Sequence, residues 1–388
     1  MSLGIYIQVP FCQTKCTYCN FHAGPAARSL YAPYVHAVVR EISQHEELYC
    51  SAGFVGDGVG ARSVVDTIYL GGGTPSLLDP ADLSRVVDAV RGNFKHQLNE
   101  VTLEADPETI TPAKAAGWRA AGINRISMGA QSFHDAELIP AGRKHRRADI
   151  FSAFDFLRAA GFRNISVDLI AGLPHQTAES WQESLSELLR LRPEHISIYL
   201  LEIDEGSRLG REVLAKGERY GAGAVPDEDA MAASYDRACA QLGGAGYEHY
   251  EISNWGMPGF RSRHNSKYWR REPYLGFGAG AHSFDGRFRW ANAHDPAQYA
   301  ASIEKGALPI EQRDEVSTSQ ALEEEMFLGL RQLEGVDVEK IEREYRTPLG
   351  PRVEPLVARG LLERDGAWLR LAPGSLTVSN EVFVALLD

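Results

Sequence analysis

The sequence predicts an α/β protein built on a parallel sheet, and three observations carry that prediction. Short β-branched or aromatic runs alternate with longer amphipathic stretches six times between residues 4 and 201. Cap-forming Asp and Thr, followed by Pro or an acidic residue, open the longer stretches in "DPADL", "TPAK" and "TAESWQESL". Glycine closes them in "AAGW", "AAGI" and "AAGF". The strands expected are "GIYIQV" (4–9), "DTIYL" (66–70), "EVTLEA" (100–105), "NRISMG" (124–129), "NISVDLI" (164–170) and "HISIYLL" (195–201). Helices are expected near 33–49, 80–92, 111–121, 147–160 and 177–191. Helical crossovers between parallel strands, six rather than eight, imply a doubly wound sheet or an open partial barrel. Residues 53–60, "GFVGDGVG", read as a flexible surface insertion.

Composition narrows the function classes. The 388 residues are 44% hydrophobic and 24% charged, with a formal charge of -12. Such a surface repels phosphate backbones, which argues against general nucleic-acid binding. No apolar run reaches the 18 or so residues of a membrane span, and the N-terminus has no signal-like segment, so a cytoplasmic protein is expected rather than an integral membrane one. In a reducing compartment clustered cysteines bind metal or do chemistry more often than they form disulfides. Three of the five cysteines, Cys12, Cys16 and Cys19, fall within eight positions.

The unusual residues follow the strands. The cysteines come after the first, "GGGTPS" after the second, "EADPE" after the third, "GAQSF" after the fourth, "AGLPHQT" after the fifth and "EIDEG" after the sixth. In parallel α/β folds that edge of the sheet is where ligands gather, so the six loops point to one cofactor pocket. Structural zinc takes four ligands, generally in two pairs, and here only His22 stands near as a fourth. An iron–sulfur cluster is usually closed by four thiolates; three leave one iron open to a small ligand. Pro10, Phe11, Tyr18 and Phe21 wrap the loop in apolar bulk, which helps set a cluster's potential.

The C-x3-C-x2-C spacing, with an aromatic before the last cysteine and just after a first strand, resembles the radical S-adenosylmethionine (SAM) superfamily. The resemblance implies a partial (β/α)6 barrel whose three thiolates, here Cys12, Cys16 and Cys19, hold a [4Fe–4S] cluster. SAM would chelate the open iron, and one electron would split it to a 5′-deoxyadenosyl radical. Within the superfamily the chain is similar to the oxygen-independent coproporphyrinogen III oxidases and the HemW-type haem chaperones. That similarity implies SAM-binding roles for Tyr6, Tyr18, Gly72, Gly73, Thr74, Glu104, Gln131, Arg143 and Asp168. On chemical grounds the glycines permit close backbone approach, Glu104 and Asp168 are acceptors for ribose or ammonium, and Arg143 can fork onto a carboxylate. The oxidases carry a further cysteine one residue beyond the third; here Phe21 stands there. They also begin with a long segment ahead of the cluster, for which Cys12 leaves no room. Both departures favour the chaperone branch.

The second half points the same way. "HNSKYW", His264 to Trp269, matches the H-N-x-x-Y-W motif of the chaperones, which makes His264 the expected haem ligand and Tyr268 its stacking or assisting neighbour. His249 and His282 compete for that part, and Lys267, Arg270 and Arg271 are candidates for the propionates. Cys50 and Cys239 read as ordinary packing or surface thiols. From about 316, three helices and a hairpin at "RDGAW" read as a winged-helix-like module, acidic and without a basic recognition face. The expected organisation is therefore a radical SAM partial barrel (1–205), an α+β extension with the haem motif (206–315) and the C-terminal module (316–388). The expected function is binding of haem and delivery to a haem-requiring acceptor, a respiratory membrane-associated protein by the resemblance. The cluster would gate transfer or homodimer formation. The alternatives are an oxygen-independent coproporphyrinogen III oxidase and a radical SAM C-methyltransferase.

Overall fold

A computed structural model describes residues 2–50, 59 and 63–387. Apart from Val59, the stretch 53–60 expected to be a flexible insertion lies outside the described residues. Six parallel strands pair in chain order: β1 (Ser2–Val9), β2 (Val64–Gly72), β3 (His96–Ala105), β4 (Arg125–Gln131), β5 (Ile165–Ala171) and β6 (His195–Leu200). Helices Tyr31–Ser43, Pro80–Asn93, Pro112–Ala120, Arg147–Ala159 and Ala178–Leu191 make the crossovers. Strands such as β5 are buried along nearly their whole length, as a sheet covered on both faces requires.

The local signals explain most helix ends. Thr111 and Thr177 accept from Lys114 N and Ser180 N, and Pro112 occupies the first turn. Asp79 precedes Pro80 without a side-chain cap. Gly122 and Gly161, both at φ +89°, end their helices in the left-handed conformation glycine tolerates. Gly117 of "AAGW" corrects the expectation of a stop: it lies inside Pro112–Ala120, where an added Cβ would stand 2.6 Å from Pro80 Cβ. Two helices cross there, and packing rather than termination accounts for the missing side chain.

Residues 206–315 extend both edges of the same sheet. Strands β7 (Glu248–Glu251) and β8 (Asn254–Gly256) add beyond β6, with β8 antiparallel to it. On the other side β9 (Tyr274–Phe277) runs parallel to β1, followed by β10 (His282–Phe284), β11 (Phe288–Asn292) and β12 (Ile310–Glu315). Among the described residues the sheet has twelve strands in the order β12-β11-β10-β9-β1-β2-β3-β4-β5-β6-β8-β7.

The short helix Arg263–Trp269 crosses the end of the barrel where strands begin. Backbone N–H groups of Arg263 and His264 donate to the Glu100 carboxylate at 2.9 and 3.0 Å, and Lys267 pairs with Asp66 at 2.9 Å. "HNSKYW" is thus helical and forms the barrel's floor. The C-terminal module comprises helices Thr318–Leu330, Val338–Tyr345, Gly350–Ala358 and Ser379–Leu387 with a three-stranded sheet that contains the expected hairpin, Leu362–Asp365 with Trp368–Leu371. No helix among the described residues is long and apolar enough to cross a membrane.

Candidate functional site

The strand-end loops converge on a cavity of ≈ 690 Å³. Cys12, Cys16, Tyr18 and Cys19 line one wall; Gly72, Gly73, Thr74, Glu104, Gln131, Arg143 and Asp168 line the rest. The cysteine loop is held by backbone bonds at both flanks. Gly73 N and Thr74 N donate to Val9 O and Phe11 O at 2.8 and 2.7 Å, and Thr17 N donates to Ala141 O at 3.0 Å. A Cβ on Gly73 would stand 2.6 Å from Phe11 O, so only glycine lets the two loops touch.

The acceptors are embedded in the wall. Glu104 receives Tyr69 OH at 2.8 Å and Gly72 N at 3.0 Å. Burial, more than those bonds can offset, lifts its carboxyl to about 7. Asp168 is bonded by Ser127 and Ser166 hydroxyls, both at 3.1 Å, and burial raises it too. Gln131 sits at φ +66° beside a register shift in β4, backbone strain of the kind that gathers at binding sites.

Arg143 lines the cavity and is tied to its wall: its guanidinium pairs with Asp106, donates to Gly129 O at 2.9 Å and reaches Cys16 Sγ at 3.3 Å. Asp106 also accepts from Thr74 Oγ1 at 3.0 Å. Sequence reading missed Asp106, Tyr69 and Ser127; the Asp–Pro of "EADPE" was the available signal for the first. It also missed Thr377, Ser379 and Asn380, which reach the cavity from the C-terminal module.

Three expected residues lie away from this cavity. Tyr6 sits deeper in the barrel, its hydroxyl on Gln8 at 2.8 Å and its ring stacked on Tyr69. His264 is fully buried in the floor. Its Nδ1 is 2.9 Å from Thr67 Oγ1 and its Nε2 2.9 Å from Tyr268 OH; burial, with Lys267 and Arg125 nearby, lowers its pKa to about 3. Tyr268 is partly exposed on a separate cleft of ≈ 280 Å³, with Arg271, Tyr274, Phe284 and Arg289 among its neighbours. Lys267 is buried between Asp66 and Glu272, and Arg271 is paired with Glu324. His249 stacks on Trp255 at 4.0 Å.

The donor set fits an iron–sulfur cluster and SAM. Cys12, Cys16 and Cys19 are free thiols on one cavity wall. Burial raises the Cys12 thiol to about 12 and the Cys19 thiol as well, so a bound metal must displace their protons. Among the described residues no three His, Cys, Asp or Glu side chains converge on a single ion. A cluster, unlike lone zinc, is gripped at separate corners, and three spaced thiols suit it. Facing them, carboxyl groups and the Gln131 amide suit a ligand that carries hydroxyls and a positive charge.

The Radical SAM superfamily matches residues 6–188, and the HemN C-terminal domain matches residues 316–373. The heme chaperone HemW of Bacillus subtilis (strain 168) is 33% identical, over 98% of this chain and 98% of its own. The chain belongs to the HemW family. That of Synechocystis sp. is 36% identical, over 98% of this chain and 91% of its own. The HemW fold here is shared with coproporphyrinogen III oxidase (HemN) from Escherichia coli, at a TM-score of 0.82 and 22% identity over 99% of this chain and 89% of that one. Membership of this radical SAM family implies a [4Fe–4S] cluster and SAM.

Proposed function

We propose that this protein is a haem chaperone that carries a [4Fe–4S] cluster and SAM, binds haem and delivers it to a haem-requiring acceptor in the cytoplasm or at a respiratory membrane protein. The observation that carries the reading is the end-to-end similarity to a protein named heme chaperone HemW, over 98% of both chains. Two features accord with it. Phe21, at 65% exposure, occupies the position where the oxidases have a further cysteine. The cavity joins the cysteine loop to the C-terminal module, so the two share one wall system.

In this reading Cys12, Cys16 and Cys19 hold the cluster, which supplies redox chemistry and a coordination site for SAM when bound. Gly72, Gly73 and Thr74 offer close backbone approach; Glu104, Gln131 and Asp168 orient the ribose and ammonium ends. Tyr18 shields the loop, and Tyr6 braces the cavity through Gln8 and Tyr69. Arg143, paired with Asp106, fixes the loop electrostatically beside Cys16. His264 and Tyr268 contribute indirectly. Direct ligation by His264 would require the helix Arg263–Trp269 to leave the barrel floor, whereas the hydrogen bonds it shares with Thr67 and Tyr268 support a positioning role.

The test uses anaerobically reconstituted protein. Added ferric haem gives a Soret band that saturates, and an acceptor apoprotein removes it. Coproporphyrinogen III gives no stoichiometric decarboxylation with 5′-deoxyadenosine release. Decarboxylation without haem binding would replace this reading with the oxidase.

A further inference from the structure

A chaperone that gives haem up needs an iron ligand that solvent and a partner can reach, and His264 is sealed. Three exposed imidazoles, His22, His282 and His294, stand near one another. His22 follows the cysteine loop by three residues. His282 begins β10, and His294 follows β11, which pairs with it. The rings of His22 and His294 have centroids 4.3 Å apart and planes tilted by 38°. Gly280, at φ +72°, passes beneath: a Cβ there would stand 3.0 Å from His294 Nδ1. His282 lies within electrostatic reach of both, since after burial His294, Arg289 and His22 are what lower its pKa.

His195, His145, His134 and His249 each have a ring nitrogen engaged by a neighbour, as His264 has. Among the described residues no hydrogen bond or ion pair reaches a ring nitrogen of His22, His282 or His294. A neutral imidazole with a free nitrogen is a ready axial ligand for haem iron. Phe21, the residue before His22, shows 65% of its surface. Lys15 is tied to the carbonyl of Phe21 at 2.9 Å, which holds that turn in place.

We propose that the His22–His294 pair, with His282 beside it and Phe21 against the macrocycle, is the docking site at which haem iron takes one imidazole of this chain. This rests on the haem-chaperone reading and deepens it by placing haem at the cysteine-loop end of the barrel. The pair cannot clamp iron from both faces as it stands. Two metal–nitrogen bonds alone span about 4 Å between nitrogens, and the 4.3 Å here is measured between ring centres. Iron therefore keeps one axial position open. Hand-over follows by ligand exchange: a donor atom of the acceptor bonds to the open face, and the iron–imidazole bond breaks with its electron pair returning to nitrogen. No electron leaves the iron.

The test is ferric-haem titration of the reconstituted full chain, following the Soret band. The double variant His22→Ala/His294→Ala is expected to bind haem about tenfold more weakly or worse while keeping its cluster absorption, and added free imidazole is expected to restore the ligated spectrum. Equal affinity and an unchanged spectrum in the double variant, with the wild type binding normally, overturn the docking site and leave the chaperone reading intact. Loss of binding in Tyr268→Phe but not in the histidine variant places haem at the opposite end and also overturns it. A wild type that does not bind haem removes the chaperone reading itself, and the docking site with it.

Discussion

Replacing His264 by alanine separates a structural imidazole from an iron ligand. The ring is fully buried, with contacts to Tyr6, Tyr69 and Tyr268. Its removal opens a void against Gly4, whose backbone approaches so closely that an added Cβ would stand 3.2 Å from the ring. It also strands the hydroxyls of Thr67 and Tyr268, each now 2.9 Å from a ring nitrogen. Large-to-small core changes cost about 2–5 kcal/mol and a stranded buried hydroxyl about 1–3 kcal/mol. Counting the buried Thr67 hydroxyl alone, a loss of about 3–8 kcal/mol follows, a large share of the roughly 5–15 kcal/mol that holds a typical protein folded. Tyr268→Phe keeps the ring and removes one hydrogen bond, so it is expected to cost about 1 kcal/mol. The assay is urea unfolding of protein stripped of cluster and free of haem, where only folding is read. An unchanged midpoint in His264→Ala would refute the burial argument. If haem binding were lost at the same time, His264 would return as an iron ligand.

Three further outcomes are expected. Gly73→Ala forces a methyl against Phe11 O and Val9 O; it is expected to cost about 1–3 kcal/mol and to speed cluster loss to a chelator, and equal retention would show that the two loops can separate freely. Asp106→Ala leaves the Arg143 guanidinium, which is 9% exposed, without its counter-charge; a drop of about 3–5 kcal/mol is expected, and a thermal shift near zero would mean that Cys16 and Gly129 hold Arg143 alone. Glu104 titrates at about 7 in the fold against an ordinary 4.5. Between those values the folded state keeps a proton that the unfolded state has released, so stability falls as pH rises through that window. Urea midpoints at about pH 5 and 7 should differ less in Glu104→Gln than in wild type; identical slopes would remove Glu104 as the source.

Much of the scaffold is local chemistry and could be read along the chain. Strand β5, "NISVDLI" in the reading and Ile165–Ala171 in the fold, is β-branched and bounded by glycine at both sides. Thr111 and Thr177 cap because each accepts from a backbone N–H three residues on. The cysteine spacing was legible because three thiols in eight residues cannot scatter far in space. "AAGW" was misread because Gly117 answers to Pro80, 37 positions earlier, and no local rule encodes that contact.

The amino-acid sequence alone determined the six strands with their five connecting helices, the edge on which the loops gather, and the clustering of Cys12, Cys16 and Cys19, since each depends on neighbours within a few residues. Tertiary structure alone decided the rest. Arg143 faces Asp106 because adjacent strand ends bring their loops together. His264 is sealed because Thr67 and Glu100 meet its helix from β2 and β3. His22, His282 and His294 stand together although more than 250 residues separate the first from the other two. Side-chain burial and pairing are properties of distant segments in contact, and the chemistry of a histidine or an arginine is set by them.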